Sequence, residues 1–522
     1  MGVEKMRQTI VSKSPRTGQV LGKVTITQTE QARKIIAKAK EAARPWSETS
    51  FAERRDILRR ANHYIHEHFD EIAELIAKEN GKPSIEAGIA EILPAIYHNK
   101  YFADNAPRLL SGEKIDVFPW NLIGKNSYLY YQPLGTIGII SPWNYPFGIP
   151  MTQIAMALTA GNTVVMKPSS SVPLIGEKIK EIWDRAGVPK DVFNIIQGPG
   201  ALGEVLIEEN VDRLIFTGSV EIGRHVAKLA AEKLMPVTLE LGGKDPAIVL
   251  ADADLDAATS GILWGAMTNA GQTCAGIERV YVHKDVYDEF VDRIVKKAEK
   301  LRLCTDEAGA CDIGAITSES QLKIIHEQVE QAKKAGAHIH LGGEILQING
   351  GIYYPPTIVT NVVHGMPIVS EETFGPILPI MSFTQEEDAI RLANDSRFGL
   401  SASVWTADEA AGRRIAKKLV AGTVTINDSL YTYSLAQTPW GGVKESGMGR
   451  THGKEGLLEM VRTVHVSTDR FYKIKKPWWY PYNENVNELF KNVVALLGKE
   501  GVVEKTKAAA KMVRKLPFRP KL

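Results

Sequence analysis

Between Gly135 and Leu250, short β-branched apolar runs alternate with helical ones, and this alternation restricts the fold more than any other feature of the chain. The runs are Thr136 to Ile140, Thr163 to Met166, Val192 to Ile196, Arg213 to Phe216 and Pro236 to Leu241. Each is strand-length, and helical sequence long enough to cross back over a sheet lies between successive runs, so the pattern predicts an open parallel α/β sheet. A second alternating stretch, from about Ala251 to Ile426, predicts a second α/β domain. Ahead of both, helical periodicity covers Thr29 to Ala43, Phe51 to Glu79 and Ser84 to Asn105, the last two parted by Gly81-Lys82-Pro83.

A chain of 522 residues exceeds a single core, so two large domains with appendages are expected. With 44% hydrophobic and 24% charged residues it is neither disordered nor fibrous in composition. Met1 to Thr9 carries both charge signs and no apolar core, which predicts no signal peptide. The most apolar stretch, Leu134 to Pro150, is interrupted by Gly135, Pro142 and Pro146, and predicts a buried strand and turn rather than a membrane span. Only three cysteines occur, Cys274, Cys304 and Cys311, a count that argues against a disulfide framework and for a reducing, cytoplasmic location.

The net charge of +2 conceals a basic tail, because from Arg470 onward 13 Lys or Arg face 4 Glu, giving the tail +9 and the rest −7. Within it Val502, Val503, Ala509, Met512, Val513 and Leu516 share one helical stripe, with Lys505, Lys507, Lys511, Arg514 and Lys515 around it. Such a basic amphipathic helix suits docking on its own protein or a partner subunit, the reading favoured over peripheral membrane contact. Basic residues confined to one tail, with no nucleic-acid motif, exclude nucleic acid as the expected partner.

The chemistry concentrates where the two α/β regions meet, a favoured place for a site. Glu240-Leu241-Gly242-Gly243 is followed thirty residues on by Gly271-Gln272-Thr273-Cys274, pairing a carboxylate base with a thiol. A lone cysteine is most often an inert buried thiol. Cys274, however, sits among small and polar residues where a ligand can approach the backbone, and the pairing suggests covalent catalysis on a carbonyl. Two glycine motifs compete for a nucleotide: Gly198-Pro199-Gly200-Ala201-Leu202-Gly203 after one strand, and Phe216-Thr217-Gly218-Ser219 ahead of the helical run Val220 to Leu234. The second has the better context, since a helix N-terminus offers free N–H groups to a pyrophosphate and Ser219 suits both cap and ligand. No metal is expected.

Seven ordered motifs resemble the aldehyde dehydrogenase superfamily from about residue 10 to residue 466. They are Ser141-Pro142-Trp143-Asn144-Tyr145-Pro146, Met166-Lys167-Pro168-Ser169, Phe216 to Ser219, Glu240 to Lys244, Gly271 to Cys274, Glu371-Glu372-Thr373-Phe374-Gly375-Pro376 and Pro439 to Gly447. The resemblance implies an aldehyde dehydrogenase-like α/β fold, with a Rossmann-type cofactor domain (1–112 and 133–241) and a catalytic domain (242–460). A β-hairpin oligomerisation element (113–132 and 461–475) and a basic, helical extension (476–522) complete it. Strand-like Glu113 to Pro119, Ser127 to Gln132 and Thr463 to Thr468 match that element, which implies a homodimer or homotetramer.

The same resemblance implies that Cys274 attacks an aldehyde carbon, that the Asn144 amide and the Cys274 backbone N–H hold the oxyanion, and that Glu240 activates the water that hydrolyses the thioester. NAD or NADP would be the cofactor. Lys167 would bond the adenine ribose, Ser219 the pyrophosphate and Glu372 the nicotinamide ribose, with Phe374 near the nicotinamide. Ser141, Pro142, Trp143, Ser169, Ser170, Phe216, Thr217, Gly218, Leu241 and Gly242 complete the set, with Gly198 and Gly200 on the adenosine side.

Two departures matter. Many NAD-preferring members carry Glu three residues after the lysine, where this chain has Ser170, so NADP fits as well as NAD. Many hydrolytic members have Glu after Gly449-Arg450, where this chain has Thr451-His452, which puts a second carboxylate in the proton relay in doubt. The substrate loop Asn427 to Trp440 contains Tyr431, Tyr433 and Leu435 and no Lys or Arg, and Trp143, Tyr145, Phe147 and Trp264 are candidates for the tunnel wall. That suits apolar aliphatic or aromatic aldehydes and disfavours a buried carboxylate. The alternatives are a CoA-acylating enzyme, against which Glu240 speaks, and a non-catalytic binding protein on the same fold.

Overall fold

The protein is described by a computed structural model, covering residues 8–118, 120–305, 311–498, 501, 503, 505–507 and 509–510. Two compact units emerge: residues up to Ser111 with Tyr131–Thr463, and Gly112–Tyr130 with the chain from Val464.

Within the first unit, the alternating runs become a six-stranded sheet. Its order is Gly447–Met448, Val237–Glu240, Arg213–Thr217, Thr136–Ile140, Thr163–Lys167, Phe193–Ile195. The five chain-consecutive strands are parallel, and Gly447–Met448 joins antiparallel at the edge, with Gly447 opposite Glu240. Because the first strand lies centrally, the chain winds outward in both directions and reverses between Thr136–Ile140 and Arg213–Thr217. In a doubly wound sheet that crevice, at the carboxyl ends of the strands, is where a nucleotide is received.

A seven-stranded sheet occupies the same unit, ordered His338–Leu341, Thr357–Thr360, Ile377–Phe383, Ile277–His283, Asp245–Val249, Ser401–Trp405, Thr423–Ile426. All neighbours are parallel except the first pair. Ile248, Val280, Tyr281, Ile380 and Val404 are completely buried in its core. The run Leu134 to Pro150 resolves into the Thr136–Ile140 strand, a turn, and the start of the wholly buried helix Gly148–Thr159.

The N-terminal helices differ from expectation in detail. Phe51–Glu67 starts on a capping box, with Ser50 and Glu53 bonding reciprocally, and Phe69–Asn80 is a separate helix after a break at His68. Gly81, at φ +99°, ends it in the left-handed conformation that glycine adopts freely. The run from Ser84 is interrupted by a π-turn at Gly88–Ile92 before the helix Leu93–Leu109. A hairpin of Thr9–Lys13 and Val20–Thr25, unread in the sequence, precedes them all.

In the second unit Glu113–Ile115 pairs antiparallel with Lys125–Pro133, next to Val461–Asp469 in a three-stranded sheet. Asp469 joins it to the extension through Lys125 (2.9 Å) and Lys476 (2.6 Å), which pull its carboxyl down to about 2. A helix, Glu484–Gly498, follows, upstream of the stripe expected at Val502 to Leu516. Most of that stripe lies outside the described residues. No helix among the described residues is long and apolar enough to cross a membrane.

The cysteine expectation needs correction. Cys304 and Cys311 form a disulfide, leaving Cys274 as the free thiol. A sparse count says nothing about two cysteines only seven residues apart in the chain.

Candidate active site

Four of the sequence motifs end strands of the six-stranded sheet on its carboxyl side. Ile140 is followed by Ser141, whose N–H donates to the Lys167 carbonyl at 3.1 Å. Thr217 ends the next strand, and the Gly218 N–H donates to the Glu240 carbonyl at 3.1 Å, tying the phosphate-loop candidate to the candidate base.

The nucleotide side fits a dinucleotide. Ser219 caps the thirteen-residue helix Val220–Glu232, its Oγ accepting from the Ile222 N–H at 3.4 Å, so the free N–H groups of a full-length helix open at the switch crevice. A Cβ at Gly218 would lie 2.6 Å from the Phe216 ring, so only glycine allows that ring to close over the turn. Lys167 is buried, its Nζ donating to the Pro168 carbonyl at 3.1 Å, and burial pulls its pKa down to about 8. Such a group, without a carboxylate among its causes of shift, fits a ribose hydroxyl. Ser169 is half-buried and Ser170 exposed. Gly198 and Gly200 lie in a turn leading only to the five-residue helix Glu204–Glu208, and so present no comparable N-terminus.

Cys274 follows a sharp turn in which Asn269, Ala270 and Gly271 all have positive φ (52°, 53° and 70°). A side chain at Gly271 would strike the Gly375 carbonyl, and one at Gly243 the carbonyl of Cys274 itself. The two motifs therefore meet backbone to backbone. Glu240 and Cys274 line one cavity of about 170 Å³. Burial, with the carboxylates of Glu240, Asp245 and Glu372 around it, pushes the Cys274 thiol well above its ordinary range. Burial raises Glu240 to about 7, against the lowering effect of a hydrogen bond from the Thr451 hydroxyl and the charge of Arg450. The thiol is thus protonated at rest, beside a carboxyl poised near neutrality.

Asn144 is buried, and its Nδ2 donates to the Gln272 carbonyl at 3.0 Å. Its loop is clamped. Lys82, fully buried, pairs with Glu91 at 2.6 Å and donates to the Asn144 carbonyl at 2.8 Å, while Glu91 accepts from the N–H groups of Phe147 and Gly148 at 2.7 and 3.1 Å. The Asn269 amide also donates to the Asn144 carbonyl, at 2.9 Å.

A parallel device holds the Glu372 loop. Lys244 pairs with Glu278 at 2.6 Å, and Glu278 accepts from the N–H groups of Thr373 and Phe374 at 2.7 and 3.0 Å. Glu372 itself accepts from the Gly243 N–H at 3.0 Å, and burial with Glu278 nearby raises it to about 8. A side chain at Gly242 would strike this carboxylate. The Leu241 N–H donates to the Ser446 carbonyl at 3.0 Å. Phe374 meets Trp143 edge to face, ring centroids 5.5 Å apart.

The tunnel wall follows the sequence in part. Tyr145, Trp264, Tyr431, Tyr433 and Trp440 line the cavity with Cys274, but Phe147 is buried in the core, Trp143 faces Phe374, and Leu435 is not among the lining residues. Sequence reasoning missed Ile89, Leu93 and Ile149 there, and missed Lys82, Glu91, Lys244, Glu278 and Thr451 as supports. Behind Tyr433 stand His452 and His98, with ring centroids at 4.7 and 6.0 Å. Burial lowers His98 to about 4 and His452 far below its usual value, so both are neutral. Pro142, Phe216 and Thr217 are buried at the carboxyl ends of the central strands.

A doubly wound sheet joined at its strand ends to a half-buried thiol and a carboxyl raised to about 7 has the layout of a nucleotide-dependent enzyme. Comparison with known proteins narrows this. The aldehyde dehydrogenase family model matches residues 3–466. A 4,4'-diapolycopene aldehyde oxidase of Methylomonas sp is 36% identical over 95% of this chain and 93% of that protein. A putative succinate-semialdehyde dehydrogenase (NADP+) of Mycolicibacterium smegmatis is 35% identical over 88% and 89%. The NAD+ complex of an aldehyde dehydrogenase from Bacillus cereus superposes with a TM-score of 0.84 at 34% identity, covering 89% of this chain and 94% of that one. The chain belongs to the aldehyde dehydrogenase family, with NAD or NADP as its cofactor.

Proposed function

We propose that the protein oxidises an apolar aldehyde to the carboxylic acid. Support comes from one observation above all: the cavity shared by Cys274 and Glu240 is walled by aromatic and aliphatic side chains and contains no Lys or Arg. The relatives' names point to different aldehydes, and the lining of this cavity favours the uncharged ones. A semialdehyde carries a carboxylate, whose burial without a cation is costly, and the histidines behind Tyr433 are neutral.

In this reading Cys274 Sγ bonds to the aldehyde carbon while its proton is taken up by a base, for which Glu240 is the carboxylate in the same cavity. The Asn144 amide and the Cys274 N–H donate to the oxyanion. Lys167, the Ser219 helix terminus and Glu372 would hold NAD(P), which would accept the hydride as the C–H bond of the thiohemiacetal breaks and a thioester is left on Cys274. Once Glu240 has released the thiol proton to solvent it takes a proton from the water that attacks the thioester; the C–S bond breaks, the acid leaves, and the Cys274 sulfur takes that proton back as the thiol. Thr451 donates to Glu240 where many relatives have a carboxylate, so a single carboxyl group serves as base.

The three-stranded sheet is the element proposed to build a homodimer or homotetramer. A cytoplasmic location belongs to the same reading and, against the Cys304–Cys311 disulfide, requires that the pair be trapped as free thiols in intact cells; a pair found oxidised there would overturn it. The functional test is initial-rate NAD(P)H formation with uncharged and carboxylate-bearing aldehydes, each cofactor separately, without CoA. Turnover of uncharged aldehydes is expected, abolished in Cys274→Ala. Preference for the carboxylate-bearing aldehyde, or a requirement for CoA, would overturn the reading.

A further inference from the structure

A second cavity, of about 780 Å³, adjoins the one around Cys274, and the two share Ile89 and Leu93 in their walls. Those two residues continue a stripe. Ile85, Ile89 and Leu93 recur at every fourth position, on the short helix Ser84–Ala87, the π-turn and the start of the next helix, so they line one face. All three are exposed, at 65%, 54% and 58%, and Phe69 beside them at 42%. Contiguous apolar surface of this kind marks a binding groove or an interface.

The groove has a built floor. The tip of the Phe69 ring abuts Gly88, where an added Cβ would sit 2.9 Å from it, so glycine at the π-turn lets the ring approach this closely. Of the charged groups around the groove, Arg16, Lys78 and Glu74 are engaged with the protein itself, and Asp70 is the other one in its wall. Arg16 donates to the Gly81 carbonyl at 3.0 Å and to that of Lys82, and Lys78 pairs with Glu74 at 2.6 Å. The apolar bed is left facing outward. Meanwhile the cavity at Cys274, at about 170 Å³, falls below the roughly 300–1,000 Å³ of ordinary ligand sites. It holds the reacting end of an aldehyde and little more.

We propose that the substrate is a long-chain aldehyde, its carbonyl at Cys274 and its apolar tail crossing Ile89 and Leu93 into the groove floored by Phe69 and Ile85. The occupant follows from continuity, since the groove's rim is also the wall of the cavity that contains the thiol. This rests on the reading of that cavity as a site for apolar aldehydes.

The test compares kcat/KM for butanal and tetradecanal, below their aggregation limits, in the wild type, Ile85→Asp and Ile85→Leu. Ile85 is exposed and does not line the Cys274 cavity, and the ratio of two substrates cancels any loss of folded enzyme. Each CH2 bound in a half-open groove is expected to raise kcat/KM roughly twofold to fourfold. The tetradecanal-to-butanal ratio should therefore be large in the wild type, fall at least about tenfold in Ile85→Asp and recover in Ile85→Leu. Equal rates for both aldehydes in the wild type, or a ratio unmoved by Ile85→Asp, would overturn the proposal while leaving apolar aldehyde oxidation intact. An unmoved ratio accompanied by a changed subunit stoichiometry would assign the stripe to a second copy of the chain. No turnover of either aldehyde would overturn the underlying reading, and this one with it.

Discussion

The loops around Asn144 and Glu372 are each held by a carboxylate paired with a buried lysine, whereas Glu240, in the cavity with Cys274, has a hydroxyl for its partner. Glu91 and Glu278 perform the same task, each taking a lysine at 2.6 Å and two consecutive backbone N–H groups of the loop it secures. Glu240 receives the Thr451 hydroxyl and only the more distant charge of Arg450, and burial leaves it near 7. A full ion pair would fix the carboxylate in its charged form and remove it from proton transfer. The difference separates carboxyl groups that hold the site from one that can act in it.

Removing the acting carboxyl should have the largest kinetic effect. Glu240→Gln is expected to lower both the initial burst of NAD(P)H and steady-state turnover, the latter by about 10²–10⁴-fold, seen by stopped flow. Its stability should follow the opposite course. A folded pKa near 7, above the ordinary 4.5, means that the wild type loses stability as pH rises from 4.5 through 7. Glu240→Gln should therefore match the wild type at pH about 4.5 and be the more stable of the two at pH about 8 by denaturant unfolding. A fall in stability at both pH values would make Glu240 another clamp and end the comparison.

The clamps predict the reverse pattern. Glu91→Ala and Glu278→Ala each leave a lysine buried without its partner and should cost about 3–5 kcal/mol in denaturant unfolding. Residual activity distinguishes them: Glu91→Ala should lower kcat through the Asn144 loop, and Glu278→Ala should raise the KM for NAD(P) through the Glu372 loop. If both changed the same parameter, the two loops would not serve separate ligands.

The smallest expected effect falls on Thr451. In Thr451→Val the bond that lowers the Glu240 pKa is lost, so the acidic limb of the kcat–pH profile should move upward by about one unit, and Thr451→Ser should restore it. An unmoved limb would mean that Thr451 only packs.

What the sequence made legible was the set of residues at strand ends. Ser141, Lys167, Thr217 and Glu240 could be placed because β-branched runs announce parallel strands, and a doubly wound sheet gathers their carboxyl ends in one crevice. The clamps could not be placed that way. Lys82 reads in sequence as part of a turn between helices and Glu91 as a charge on a helical run. Their pairing is tertiary, nine residues apart across a π-turn that no periodicity signals. Thr451 was visible only as a departure, without its hydrogen bond. The break at His68 has neither glycine nor proline to mark it, and the hairpin Thr9–Lys13 with Val20–Thr25 buries too few side chains to show a clean alternation. Phe147 illustrates the opposite error: an aromatic inside a catalytic motif went to the core because the helix that begins beside it is buried on every side.

With Cys304 and Cys311 joined, the chain's three cysteines amount to one titratable sulfur per polypeptide, and that sulfur is the proposed nucleophile. A non-reducing thiol titration of the denatured protein therefore doubles as a census of intact active centres. One equivalent per chain certifies a preparation as fully competent, and any shortfall reports the fraction already lost to oxidation.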